Sequence, residues 1–217
     1  MLFRSDQALE YFDEALGHFE RLSDPAQARN NWQQTTSYKA IAELDINSPT
    51  RGDTIKLLIS EVTGETAPKS TRKLARSASP LRFEHYLLLR WLVYSPQEEQ
   101  ARQDYLNCSD EWQLGEGHPW MLINAYRAWL LADSNRKDEA ASYLQRSVDE
   151  CSDRESSAIL HWMAHCIYTL GESLGLAVVQ PARKCPEAPY PTDQLAGLRV
   201  SKTTEDRIRV LNKLLPF

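Results

Sequence analysis

The sequence predicts an all-α protein built from stacked antiparallel helical hairpins, and three observations carry that expectation. Helix-start signals recur along the chain, apolar residues follow a spacing of three and four rather than two, and only 8 of the 217 residues are glycine. Few glycines leave little material for tight β-turns or for loops that cradle phosphates.

The start signals share one grammar, a capping side chain, then proline, then glutamine or glutamate two positions later. Asp24-Pro25-Ala26-Gln27 and Ser95-Pro96-Gln97-Glu98 both fit it. The cap oxygen accepts an otherwise orphaned backbone N–H, and proline has no N–H to leave unsatisfied. Ser152-Asp153-Arg154-Glu155 reads as a third capping box, and Ser79-Pro80 and His118-Pro119 as further starts. These marks predict helices over 5–22, 25–46, 52–62, 69–78, 80–94, 96–107, 119–133, 136–150, 154–174 and 204–215. Short connections favour antiparallel neighbours, and the expectation is a single domain over 1–217 with a C-terminal helix in 203–217.

Taken in order, the first helix is amphipathic and the second is introduced by the Asp24 cap. The helix at 69–78 places Lys69, Arg72, Lys73 and Arg76 on one face, a stripe that suits a solvated surface or an acidic partner. The segment 80–94 is apolar almost all round, the pattern of a helix buried in the middle of a bundle. Near 112–129, Trp112, Trp120, Trp129 and Tyr126 gather around Gly115-Glu116-Gly117-His118-Pro119. Such aromatics either fill a core or anchor an interface. The isolated Gly-x-Gly has neither the preceding strand nor the following Gly-Lys of a phosphate loop.

The helix at 154–174 is two-faced. Ile159, Trp162, Met163, Cys166, Ile167, Leu170 and Leu174 form its apolar stripe, and Gly175 stands where a C-terminal cap belongs. His161 and His165 lie opposite that stripe, with Arg154, Ser157, Tyr168 and Glu172. Two histidines four apart can meet on one metal ion, but Trp162 holds the place where a zinc protease needs its glutamate. The reading is a solvated or helix-contacting polar face, with partner binding second and metal or catalytic work last. Residues 177–199 carry Pro181, Pro186, Pro189 and Pro191 and read as an arm or loop, which Tyr190 would help to dock. Ala177–Gln180 is the one stretch with strand-like composition.

Cys108, Cys151, Cys166 and Cys185 form no C-x-x-C pair and are read as free thiols. A net charge of −5 makes nucleic acid a poor partner and a basic protein an acceptable one. No stretch reaches the ~18 apolar residues of a membrane span. Met1-Leu2-Phe3-Arg4-Ser5-Asp6 lacks the apolar centre of a signal peptide. The expected location is the cytoplasm, with no cofactor, no metal, no nucleic acid and no membrane partner.

Two resemblances add to this. Ala8-Leu9-Glu10-Tyr11-Phe12-Asp13-Glu14-Ala15-Leu16 and Asp138-Glu139-Ala140-Ala141-Ser142-Tyr143-Leu144-Gln145-Arg146-Ser147 resemble the second helix of a tetratricopeptide repeat. Ala8 and Ala140 would let helices approach, Tyr11-Phe12 and Leu144 would fill the groove, and Ala15 and Ser147 would complete the spacing. The helix at 119–133, with Ala128 and Leu131, would supply the first half of the second repeat. That likeness implies a short curved solenoid. More broadly, the order of segments resembles the helical immunity proteins of bacterial polymorphic-toxin systems. It runs from an amphipathic start through the apolar helix at 86–94, the aromatic helix Trp120–Trp129 and an alanine-rich helix to a tryptophan-bearing helix. That last helix leads through Gly175-Leu176 into Pro189-Tyr190-Pro191-Thr192-Asp193-Gln194-Leu195. This likeness implies stoichiometric binding of a toxin without chemistry. The residues expected to bind are Trp112, His118, Trp120, Arg154, His161, His165, Tyr168, Glu172 and Tyr190. A repeat-type adaptor or chaperone holding a peptide, and an enzyme using His161, His165, Tyr168 and Glu172, are the alternatives.

Overall fold

The computed structural model describes residues 5–19, 21–76, 82–108, 118–152, 157–186 and 190–215; of residues 5, 6, 82 and 118–121 it describes the backbone. Among these the chain is all-helical, with no strand. Its helices are α1 (Ser5–Phe19), α2 (Pro25–Asp45), α3 (Arg51–Thr63), α4 (Lys69–Ala75), α5 (Arg82–Tyr94), α6 (Glu99–Cys108), α7 (His118–Asp133), α8 (Lys137–Ser152), α9 (Ala158–Leu174), α10 (Thr192–Val200) and α11 (Thr204–Leu214). No helix of the described residues is long and apolar enough to cross a membrane.

The chain divides into two compact units, Met1–Trp91 with Gln103–Trp112, and Leu92–Arg102 with Gln113–Phe217. In the first unit α1 packs on α2, α2 on α3 and α3 on α4. The Asp24 cap forms as its sequence predicts. Its Oδ1 accepts the N–H groups of Ala26 (2.9 Å) and Gln27 (3.3 Å), with Pro25 opening the helix. Within α5, every residue from His85 to Tyr94 is buried, two polar ones included. The His85 ring meets the Tyr105 hydroxyl of α6 at 3.3 Å. Arg90, fully buried, donates to the Asp45 carboxylate at the end of α2 and to the Tyr86 hydroxyl (3.2 Å) one turn back. Burying a guanidinium is tolerable only with such partners, because the lost hydration costs several kcal/mol. The Arg90–Asp45 pair therefore fixes where α5 lies on α2.

The basic stripe of α4 is partly spent inside this unit. Arg72 pairs with Asp104 of α6 at 2.9 Å, and Lys73 donates to the Thr63 carbonyl at the end of α3. Tyr11, expected to fill a groove, is 71% exposed. The small-large-small pattern of α1 does not pack as the repeat likeness implies there.

In the second unit α7 and α8 pack along their length, α9 lies against α8, and α10 and α11 close on α9. Every residue from Leu122 to Leu131 is buried, so α7 is the core helix. Trp129 stacks on Tyr126 at 6.5 Å and 10° and fills that core, while Arg127 lies 4.3 Å over the Tyr143 ring of α8. Ala140, Leu144 and Ser147 of α8 are all fully buried.

Two predicted starts are displaced. The Ser95-Pro96 grammar makes a turn, with the Glu98 N–H bonded to the Ser95 carbonyl (3.0 Å), and α6 begins at Glu99. Ser152 ends α8 and its hydroxyl donates back to the Val148 carbonyl (2.7 Å), while the rest of the predicted capping box, 153–155, lies outside the described residues. The following helix starts at Ala158 after Ser157, not at 154. The C-terminal cap at Gly175 is as expected, with φ 68° and the Leu176 N–H returning to the Gly171 carbonyl (3.0 Å). The segment 177–199 is corrected in part. Ala177–Gln180 is extended chain and no strand, and α10 occupies the last third of what the prolines suggested was loop. Pro191 stands at the position where proline is harmless, just before the first turn.

Replacing Asp45 by alanine takes a carboxylate from the buried Arg90 charge, and a loss of roughly 2–4 kcal/mol is expected. It should be read as faster amide hydrogen exchange in α2 and α5. Adding Arg90→Met should restore much of that protection. Unchanged exchange in Asp45→Ala would show that the pair does not hold these helices.

Candidate functional site

The polar face of α9 was the first place to seek function, and the structure gives it another occupation. After Gly175 the chain turns back and runs antiparallel along α9, in the groove that α9 makes with α8. Gly171 leaves the room, since a Cβ there would stand 2.5 Å from Val178 Cγ2 and 2.6 Å from Leu144 Cδ2. The Val179 N–H donates to Gln145 Oε1 of α8 (2.6 Å). Farther along, the Arg183 carbonyl sits 2.9 Å from His165 Nε2. A carbonyl only accepts, so that ring nitrogen carries the proton. Tyr190 then stacks on Trp162 at 5.2 Å and 21°, which docks the arm as its aromatic residue suggested.

Of the expected solvated or helix-contacting polar face, the described residues are largely covered by contacts. His165 is buried beneath the arm and His161 is half-buried. Tyr168 donates to Glu172 Oε1 (3.2 Å), and Glu172 Oε2 accepts from Arg199 Nε of α10 (2.8 Å). Partial burial, followed by the Glu172 carboxylate, holds the Tyr168 phenol above its ordinary value. Arg207 of α11 grips Ser173 through its hydroxyl and its carbonyl, both at 2.7 Å. A cation on the last carbonyls of a helix is favourable for its dipole. The Trp162 indole N–H donates to the Leu214 carbonyl at 2.7 Å. His165, Tyr168, Glu172 and Tyr190 are brought together, but as fasteners between α9 and the segments folded over it. Trp112 and Arg154 lie outside the described residues, as do the side chains of His118 and Trp120. The cysteines are free thiols, and burial raises those of Cys166 and Cys185. Among the described residues no group of three or more histidine, cysteine or acidic side chains is placed to hold a metal ion.

A cleft in the first unit was not foreseen. It measures about 340 Å³ and is lined by Asn30, Gln33, Gln34, Ser37 and Tyr38 of α2 and by Phe83 and Glu84 of α5. The α2 residues are spaced three, four, seven and eight apart, which puts them on one face of the helix. Ser37 is committed to the Gln33 carbonyl (2.8 Å). Tyr38, 49% exposed, meets the Phe83 ring edge-on at 6.4 Å, and Phe83 leans on Tyr86 at 5.9 Å. Tyr86 in turn holds Arg90, so the buried ion pair below sets the cleft wall. Burial pushes the Glu84 carboxyl above its usual range, its own backbone opposing only in part. The signal for this site lay in the sequence as an amide-rich run, Asn30-Asn31-Trp32-Gln33-Gln34, on a helix with no clear apolar stripe. What it faces could not be read without knowing that α5 packs there.

No family model, curated protein or solved structure matches the chain.

Two outcomes follow. Gly171→Val should push Val178 out of its seat and loosen the arm, a cost of roughly 1–3 kcal/mol. Cys185 should then be alkylated several-fold faster, mapped by mass spectrometry, and an unchanged rate would mean that the arm is held elsewhere. Glu84 has a folded-state pKa above its unfolded one, so folding disfavours the ionised form. Stability is lost as pH rises through the folded pKa and regained as it falls below the ordinary carboxylate range. Glu84→Gln should therefore be the more stable protein at pH 7, with the difference closing on acidification in thermal melts.

Proposed function

We propose that the chain is a non-catalytic protein-binding scaffold, most concretely an immunity protein that neutralises a cognate bacterial toxin in the cytoplasm by direct binding. The observation that carries this reading is the cleft between α2 and α5. Side-chain amides offer donors and acceptors together, which is what a polypeptide backbone presents. Tyr38 at the mouth supplies a large, partly exposed ring of the kind that anchors interfaces. The acidic balance of the chain favours a basic partner, such as a toxin that cleaves nucleic acid. The imidazole of His165, committed to the arm, weakens the enzyme alternative.

The same amide lining supports a second reading, an adaptor or chaperone that holds an extended segment of another protein. The two differ in what they bind, a folded toxin in one case and an isolated peptide in the other.

The neighbouring reading frame supplies the test. Its product, expressed as a toxin, should be neutralised by the wild-type chain in a one-to-one complex. A Gln34→Lys/Tyr38→Glu variant, altered only at exposed positions, should fold normally by circular dichroism and fail to protect. A wild-type chain that gives no protection would end the immunity reading. Full protection by the variant would remove the cleft from it.

A further inference from the structure

We infer that the cleft is selective for a cationic side chain, an arginine or lysine of a bound polypeptide, with Glu84 as its counter-charge and Tyr38 and Phe83 as its flanking rings. This rests on the protein-binding reading and goes further, by giving the chemistry of the residue received.

Three features of the cleft lead there. Glu84 is half-buried at the start of α5, and among the described residues it has no ionic partner. An ionised carboxylate partly withdrawn from water and left unpaired is unfavourable, and an incoming cation relieves that cost. Beside it, the Tyr38 and Phe83 rings stand at 65° to one another. Aromatic faces attract guanidinium and ammonium groups, more so where water is partly excluded. Among the described residues the rest of the lining is neutral. Asn30, Gln33, Gln34 and Ser37 add no positive charge to repel a cation, and no second carboxylate to hold a metal ion.

Volume and lining choose the source of the cation. About 340 Å³ lies near the lower end of the range of small-molecule sites, roughly 300–1,000 Å³, so the cleft suits one long side chain and its flanking backbone. The amides of α2 are placed along the cleft to meet peptide groups, which a free amine does not carry. Across the cleft, α5 offers the carboxylate to the end of that side chain.

The probes are capped tetrapeptides that differ at one position, carrying arginine, lysine, citrulline or glutamate. They are titrated into the full-length protein while the Tyr38 and Phe83 ring signals are followed by NMR. Arginine should bind about tenfold more tightly than citrulline, its neutral isostere, a difference of about 1.4 kcal/mol. In Glu84→Gln that preference should vanish, with citrulline binding unchanged. Tyr38→Leu should weaken arginine several-fold and leave the fold intact. Equal binding of arginine and citrulline, or no ring shift with any peptide, would overturn the inference. Free methylguanidinium shifting the rings as strongly as the arginine peptide would overturn its polypeptide part. Toxin neutralisation through the cleft without a preference for cations would sink this inference alone. Cation-selective peptide binding without neutralisation would instead sink the immunity reading.

Discussion

A guanidinium with no access to water governs the first unit. Arg90 sits in α5, where every residue from His85 to Tyr94 is buried. A charge there is stable only with polar partners, and Asp45 at the end of α2 supplies a carboxylate. The pair converts a non-directional hydrophobic contact between α2 and α5 into one register. Apolar packing alone tolerates sliding and rotation, whereas a charge-assisted hydrogen bond between a buried guanidinium and a carboxylate does not. From that register follow the Tyr86 hydroxyl on Arg90, the lean of Phe83 on Tyr86, and the facing of Phe83 and Glu84 toward the amides of α2.

The second unit solves a different problem. Along α9, Trp162, Met163, Cys166, Ile167 and Leu170 of the predicted stripe are buried, whereas Leu174 is half-buried and Ile159 at its start is exposed. Its opposite face is polar yet largely covered, because polar groups are tolerated under cover when each finds a partner. His165 meets a carbonyl of the arm, Glu172 meets Tyr168 and Arg199, and the backbone at the end of the helix meets Arg207. A polar face of this kind looks identical, in a list of residues, to a binding surface.

That ambiguity explains what the sequence did and did not disclose. Helix positions were legible where the signal is local. The Asp24 cap, the glycine at 175 and the largely apolar run of α5 act within a turn or two, and all three appear in the structure. Ser95 and Ser152 carry equally good local grammar, but one stands in a turn and the other finishes the preceding helix. α10 hid behind the prolines that precede it, although Leu195 and Leu198 at helical spacing and Asp193 in the first turn were its signs. The site was less legible than the fold. The histidine pair depends on a groove that Gly171 opens through tertiary packing, and the cleft needs two helices far apart in sequence. Spacing along one chain segment cannot report either.

The chain passes between its two units three times, within α5, within α6 and again after Trp112. The first unit is therefore not a contiguous stretch. Its later portion, Gln103–Trp112, brings Tyr105 to His85 and Asp104 to Arg72, after residues 92–102 have already joined the other unit. On a ribosome these closing contacts wait until α6 has emerged. The early helices must persist for that interval without the Tyr105 hydroxyl beside His85 and the Asp104 carboxylate beside Arg72, which makes the order of synthesis itself a constraint on how this protein reaches its folded state.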